Sequence, residues 1–202
     1  MERLVIATGN AHKTDEIREM LGGRVAEVVD LRAHPEVGEI EETGSTFEQN
    51  AILKAVGAGR VLGVEVWVLA DDSGLEVDAF DGAPGVYSAR YAGESATDAD
   101  NRSKLLAELG RAGARGKARS ARFRCVLVLA RGTEVVATFD GACEGVIGNI
   151  EKGDGGFGYD TLFIPDGECA TFGELSAEVK NRMSHRARAL EGLCAWLEVQ
   201  QR

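Results

Sequence analysis

The chain has no long apolar run. Nothing in it approaches the roughly 18–20 consecutive apolar residues that a membrane-spanning helix needs, so no membrane partner is expected. A basic excess is also missing. Lys and Arg number 23 against 33 Asp and Glu, for a formal net charge of -10. That balance argues against a nucleic-acid polymer as partner, because cationic surface supplies most of such affinity. It leaves room for a small phosphorylated ligand held by a few lysines around a divalent cation. Closely spaced cysteines are absent too. Cys125, Cys143, Cys169 and Cys194 form neither a C-x-x-C nor a zinc pattern and read as free thiols of a reducing compartment. There is no internal repeat or low-complexity tract. Met1-Glu2-Arg3 enters a strand pattern directly rather than through a secretory leader, so the cytoplasm is the expected address. At 202 residues the chain can bury a substantial core, and one domain over 1–202 is expected.

Strand and helix patterns alternate in the first half. Residues 3–7 are a short apolar run, followed by the polar turn Thr8-Gly9-Asn10. Ile17, Met20 and Leu21 then fall at helical spacing until Gly22-Gly23. Residues 25–29 suggest a second strand, and 30–44 an acidic loop containing Glu39, Glu41 and Glu42. Ser45-Thr46-Phe47-Glu48 has the form of a capping box. It opens a helix whose one face carries Phe47, Ala51, Ala55, Ala58 and Leu62. A strand over 64–70 is expected to end at Asp71-Asp72-Ser73-Gly74, with a further apolar segment at 75–79 and a turn at 81–85. Thr97 caps an expected helix to about Leu109, and 110–118 reads as an exposed, basic connection. Strands are expected at 121–130, 133–140 and 142–148, then a glycine-rich turn at 153–158 leading into 159–164. A final helix carries Ala187, Leu190, Cys194 and Leu197 on one stripe. Early alternation followed by a run of strands predicts a mixed α/β sheet rather than a purely parallel one.

Five constellations carry chemistry. Two adjacent carboxylates, Asp71 and Asp72, at the end of an apolar strand would each lose hydration and raise the other's pKa unless cations compensated. Ligands gather at such strand ends in open α/β sheets. Glu41-Glu42 is a second acidic pair, which by itself reads as a solvated acidic loop. Hard cations such as Mg²⁺ take one or two carboxylates plus phosphate oxygens and water. Between a strand and a helix, Thr8-Gly9-Asn10-Ala11-His12-Lys13 offers backbone N–H groups, a hydroxyl, an amide and a lysine. Those are the parts of an anion site, or of an ordinary capped turn. Gly155-Gly156-Phe157-Gly158-Tyr159-Asp160 places aromatics among glycines, as either a stacking platform for a flat base or a bulge with core aromatics. Lys180, Ser184, His185 and Arg186 precede the last helix and could read keto oxygens or phosphates. Together these point to a nucleoside triphosphate.

The same blocks make the chain resemble the inosine triphosphate pyrophosphatase family, which cleaves non-standard purine nucleoside triphosphates. The matching stretches are Thr8-Gly9-Asn10-x-x-Lys13, Glu42-Thr43-Gly44, Phe47-x-x-Asn50-Ala51-x-x-Lys54-Ala55 and Ala70-Asp71-Asp72-Ser73-Gly74-Leu75. They continue through the block from Gly82-Ala83-Pro84-Gly85 to Arg90-Tyr91, then Gly156-Phe157-Gly158-Tyr159-Asp160 and Ser184-His185-Arg186. The resemblance implies an α/β fold with an elongated mixed sheet and flanking helices forming two lobes around a central cleft. It further implies a homodimer and Mg²⁺-dependent hydrolysis of ITP, dITP or XTP to the monophosphate and pyrophosphate.

Residue by residue, Thr8, Asn10, Lys13 and Lys54 would hold the triphosphate, and Gly9 and Ser73 would also bind the substrate. Glu42 and Asp72 would bind the metal, and Asp72 would also act as proton acceptor. Phe157, Gly158, Tyr159 and Asp160 would lie at the base. Lys180, His185 and Arg186 would complete the site, the last two near the O6 keto group. One departure is visible: Thr161 stands where the family usually has proline. Two other readings are a house-cleaning pyrophosphatase for other modified nucleotides and a non-catalytic nucleotide-binding sensor. The sensor would not need both Glu42 and Asp72.

Overall fold

Asn10 shows how local chemistry sets the elements. In the computed structural model, which describes residues 1–200, strand β1 (Arg3–Ile6) is followed by helix α1 (Ala11–Leu21). The Asn10 side chain caps that helix by accepting from the His12 and Lys13 backbone N–H groups. Strand β2 (Glu27–Asp30) begins two residues later than the pattern predicts, and Val25 is buried ahead of it. Helix α2 (Phe47–Leu62) is capped by Thr46, whose hydroxyl accepts from the Gln49 N–H. The expected capping box is not formed: Thr46, not Ser45, is the cap, and Gln49, not Glu48, reaches back, accepting from the N–H of Ser45 before the cap at 2.8 Å. Helix α3 (Asp98–Arg111) carries a complete capping box between Thr97 and Asp100.

The strands depart further from the sequence pattern. Strand β3 (Trp67–Val77) does not stop at Asp71 but runs through both carboxylates and on to Val77. Strand β4 (Ser120–Arg131) is as expected, whereas β5 (Glu134–Ile147) is one long strand instead of two. Strand β6 (Phe163–Pro165) is short. It is followed by helix α4 (Ala177–Met183) and helix α5 (His185–Gln200), which His185 and Arg186 open rather than precede. The six strands form one sheet in the order β2-β1-β3-β4-β5-β6. β1 pairs in parallel with β2 and β3, while β5 and β6 are antiparallel. The mixed α/β sheet with flanking helices is thus observed.

The chain divides into two compact units. The first comprises Met1–Ser73, Cys125–Gly141 and Arg186–Arg202, the second Gly74–Arg124 and Ala142–His185. The core of the first gathers Leu4 and Ile6 of β1, Ile17 and Leu21 of α1, Leu69, Leu127 and the α5 residues Leu190, Leu193 and Leu197. Each such leucine contributes about 1.5–3 kcal/mol by leaving water. α2 lies so close to the β4–β5 link that a Cβ on Gly59 would sit 1.7 Å from the Gly132 carbonyl oxygen. Only glycine permits that approach. The second unit buries Leu75, Val77, Leu105, Leu109, Phe123, Phe163 and Phe172. Among the described residues, no helix is long and apolar enough to cross a membrane.

Candidate active site

A strand that carries two adjacent acids through its middle needs cations on both faces, and the first unit provides them. Consecutive side chains on a strand point to opposite faces, and Asp71 and Asp72 have different partners. Asp71 Oδ1 accepts from Lys13 Nζ at 2.6 Å and from the Ser73 hydroxyl at 2.8 Å. Its Oδ2 accepts from Arg186 Nε at 2.7 Å and from the Cys125 thiol at 3.3 Å. Burial by itself would raise the Asp71 carboxyl, but Arg186 and Lys13 prevail and hold it well below the usual carboxylate range. Asp71 therefore has a defined place as the hub of a buried ion-pair cluster.

Arg186 is almost wholly buried and is fixed by that cluster. It also donates to Ser73 Oγ at 3.0 Å and to Glu16. Glu16 was not singled out from the sequence. Its position three residues after Lys13, on the same face of α1, was the available signal.

Asp72 has the opposite electrostatic fate. Its Oδ1 accepts from Lys54 Nζ at 2.7 Å, and the same ammonium donates to Glu42 Oε2 at 3.1 Å. At Glu42 burial works against ionisation, but the Lys54 charge outweighs it and the carboxyl lies below its ordinary value. At Asp72 burial wins and pushes the carboxyl up to about 6. Asp72 Oδ2 is buried and has no hydrogen-bond partner among the described residues. An orphaned carboxylate oxygen beside a second carboxylate is what a hard divalent cation would satisfy. No group of three or more His, Cys, Asp or Glu side chains gathers as a metal cage among the described residues. Mg²⁺ does not demand one, because it keeps waters and substrate phosphates in its shell. Lys54 and Asn50, four residues apart on α2, both serve this region: Asn50 Oδ1 accepts from the Gly44 N–H at 2.8 Å, next to the Glu42 loop.

At the start of α1, Thr8 Oγ1 accepts from the Asn10 N–H at 3.1 Å and Asn10 Oδ1 from the His12 N–H at 2.9 Å. These polar groups form a capped turn. The space above Gly9 is open, with no atom within 4 Å of an added Cβ. The turn thus presents uncrowded backbone at a helix start, with Lys13 reaching inward to Asp71.

The remaining sequence-predicted residues lie in the second unit. Lys180 Nζ donates to Asp160 Oδ2 at 2.6 Å, both side chains nearly fully buried, and the same oxygen accepts from the Phe157 N–H at 2.8 Å. The Lys180 ammonium lies 5.0 Å from the Phe157 ring centroid. A Cβ on Gly156 would fall 2.1 Å from Asp160 Oδ2 at a φ of +73°, so this turn closes onto its own acid only with glycine. Gly158 N–H donates to Asp98 Oδ2 at 2.7 Å, and Gly158 O accepts from Arg102 at 2.8 Å. Tyr159 belongs to the apolar core, its hydroxyl donating to the Ser88 carbonyl at 2.9 Å. His185 stacks on Phe123, ring centroids 4.8 Å apart and planes 14° from parallel. Where proline is usual, Thr161 donates its hydroxyl to Glu151 Oε2 at 3.2 Å, and Glu151 also pairs with Arg102 at 2.7 Å. The turn is tied by a polar chain.

Known proteins are similar to this chain along nearly its whole length. The profile of the Ham1 family covers residues 4–196. A dITP/XTP pyrophosphatase of Halalkalibacterium halodurans is 46% identical over 198 residues, covering 98% of this chain and all of that protein. The dITP/XTP pyrophosphatase of Bacillus subtilis is 45% identical, with 98% of each chain covered. Among solved structures, a HAM1 protein from Coxiella burnetii superposes with a TM-score of 0.86 at 40% identity, covering 98% of this chain and 99% of its own. The Staphylococcus aureus Ham1 protein gives 0.85 at 39%, covering 98% and 100%. The chain belongs to the Ham1 family.

Proposed function

We propose that the chain hydrolyses non-standard purine nucleoside triphosphates (ITP, dITP and XTP) to the nucleoside monophosphate and pyrophosphate. The relatives named as dITP/XTP pyrophosphatases support the reaction class. The observation that carries the reading is Asp72: a buried carboxylate with one orphaned oxygen, sharing Lys54 with Glu42. Glu42 and Asp72 would hold Mg²⁺, which when bound supplies charge neutralisation for phosphate oxygens and a more acidic water.

The protein's own groups do the rest. Lys13 and Lys54 are cations that can turn from Asp71 and Asp72 to an incoming polyphosphate, and the open backbone at Gly9 admits a phosphate to the α1 N-terminus. Asp72, whose carboxyl burial raises to about 6 before any cation is held, is the base for attack on the α-phosphorus, with pyrophosphate as leaving group; a more acidic water would ease the demand on it. Phe157, Gly158, Tyr159 and Asp160 would line the base, with Lys180, His185 and Arg186. A positively charged donor turned toward the base would favour a 6-keto acceptor over the adenine amino group. The whole chain acts as one catalytic domain, in a homodimer, in the cytoplasm.

The test is product analysis with ITP, XTP, dITP and dATP in Mg²⁺, for the wild type and Asp72→Asn. Monophosphate plus pyrophosphate from the 6-keto substrates, with little from dATP, is expected. Orthophosphate as the first product, or full activity in Asp72→Asn, overturns the mechanism.

A further inference from the structure

Residues 111–119 hold four cations and no acid: Arg111, Arg115, Lys117 and Arg119. In a chain of net charge -10 a cation readily finds a carboxylate, yet none of these four forms an ion pair among the described residues. Arg119 is carried inside, only 7% exposed. Its Nε donates to the Ile147 carbonyl at 2.7 Å and its Nη2 to the Gly148 carbonyl, at the end of β5. Its Nη1 has no acceptor among the described residues. Burial pulls the guanidinium below its ordinary pKa, with no carboxylate raising it, though an arginine remains charged at neutral pH.

This guanidinium lines a cavity of about 470 Å³ in the second unit, walled also by Lys152, Asn149, Val146, Ile147 and Ile164. That volume is in the range of small-molecule sites, about 300–1,000 Å³. Lys152, like Arg119, has no ion pair among the described residues. The acids near it are engaged elsewhere. Glu151 pairs with Arg102 at 2.7 Å, and Glu174 accepts from the Thr171 N–H at 3.0 Å. None of the cavity's lining residues belongs to the ion-pair clusters around Asp71 and Asp72.

We infer that this cavity binds a small organic phosphate, its anionic oxygens on Arg119 Nη1 and Lys152 and its carbon portion against Val146 and Ile164, which pair across β5 and β6. Two cations match the double charge of a phosphate monoester better than the single charge of a carboxylate, and a guanidinium fork suits phosphate oxygens. The aliphatic wall adds affinity that inorganic phosphate could not use. This site is independent of the proposed hydrolysis.

Phenyl phosphate is the probe, titrated into full-length ¹⁵N-labelled protein without divalent cation. Binding is followed at the Arg119 Nε–H resonance and the amides of residues 148–152. Saturable shifts at these positions are expected, with benzoate weaker and benzyl alcohol inactive. Lys152→Gln, at an exposed side chain, should weaken phenyl phosphate about five- to tenfold while leaving ITP hydrolysis unchanged. Arg119→Gln should weaken it further, and Lys152→Gln decides if that variant disturbs β5. Asp72→Asn should titrate like the wild type, which separates this site from the catalytic reading. No saturable shift up to about 10 mM, equal shifts with benzyl alcohol, or unchanged affinity in Lys152→Gln would overturn the assignment.

Discussion

Asp71 and Arg186 stand 115 residues apart in the chain and form a fully buried ion pair, Oδ2 to Nε at 2.7 Å. Lys13 shares the carboxylate and Glu16 shares the guanidinium, so charge is balanced within the cluster. Removing one member leaves buried charge uncompensated. Asp71→Asn is expected to destabilise the protein by about 3–5 kcal/mol in urea or guanidinium titration. A loss below about 1 kcal/mol would mean that the pair is not what holds the strand's acids in place.

Asp72 tests the proposed function. On that reading Asp72→Asn keeps the shape, including an acceptor for Lys54, but removes the proposed proton acceptor and one of the two groups that would hold Mg²⁺. Turnover of ITP should fall by about 10²–10⁴, with thermal stability near that of the wild type. Glu42→Gln should raise the Mg²⁺ concentration needed for half-maximal activity. An unchanged Mg²⁺ requirement would remove Glu42 from the metal set.

Asp30 supplies a pH test away from the site. It accepts from Arg32 at 2.6 Å and from the Thr14 hydroxyl at 2.8 Å, and the Arg32 hydrogen bonds outweigh burial to hold its carboxyl below the ordinary value. A lowered pKa means that the unfolded chain binds the proton more readily than the folded one. The stabilisation is therefore complete above the ordinary carboxylate pKa of about 4 and disappears as pH falls through the lower folded value. Asp30→Asn should cost about 1–3 kcal/mol at pH 7 and progressively less below pH about 4. A difference independent of pH would contradict this account.

Gly156 tests the second unit. A methyl group there meets Asp160 Oδ2 at 2.1 Å and demands a φ of +73°. Gly156→Ala should displace the carboxylate that holds Lys180 and the Phe157 backbone, costing about 2 kcal/mol or more of stability. The Michaelis constant for ITP should rise more than turnover falls, since the affected residues are assigned to the base. Wild-type stability and KM together would show that the turn relaxes freely.

Thr161 gives a milder expectation. Its hydroxyl bond to Glu151 is partly exposed, at 3.2 Å, so Thr161→Val should cost no more than about 1 kcal/mol, measured by thermal unfolding. A larger loss would make the Thr161–Glu151–Arg102 chain the turn's main support.

The start of α2 was read one residue early, at Ser45 instead of Thr46, and α4 was not read at all. The start of α3 was legible in the sequence because capping is a local interaction: Thr97 satisfies an N–H group three residues away. The final helix's apolar stripe was legible for the same reason: Leu190 and Leu197 keep helical spacing on the core side. The end of β3 was misread, because two charged residues in a row look like a terminus when their counter-ions are invisible. Lys13, Lys54 and Arg186 are distant in sequence and close only after folding. β5 was divided by its polar Asp140-Gly141 for a similar reason, although pairing with its neighbours carries it through.

The sequence by itself determined the inventory of charged, capping and aromatic residues, their spacing on each element, and the family they define. Tertiary structure alone decided which of two identical neighbouring carboxylates is which. Asp71 meets Arg186 and Lys13 and stays ionised, whereas Asp72 meets one lysine shared with Glu42, keeps an orphaned oxygen, and is pushed by burial to about 6. A carboxylate's proton affinity is set by the charges and water around it in space, and those arrive from residues that the chain order keeps far apart.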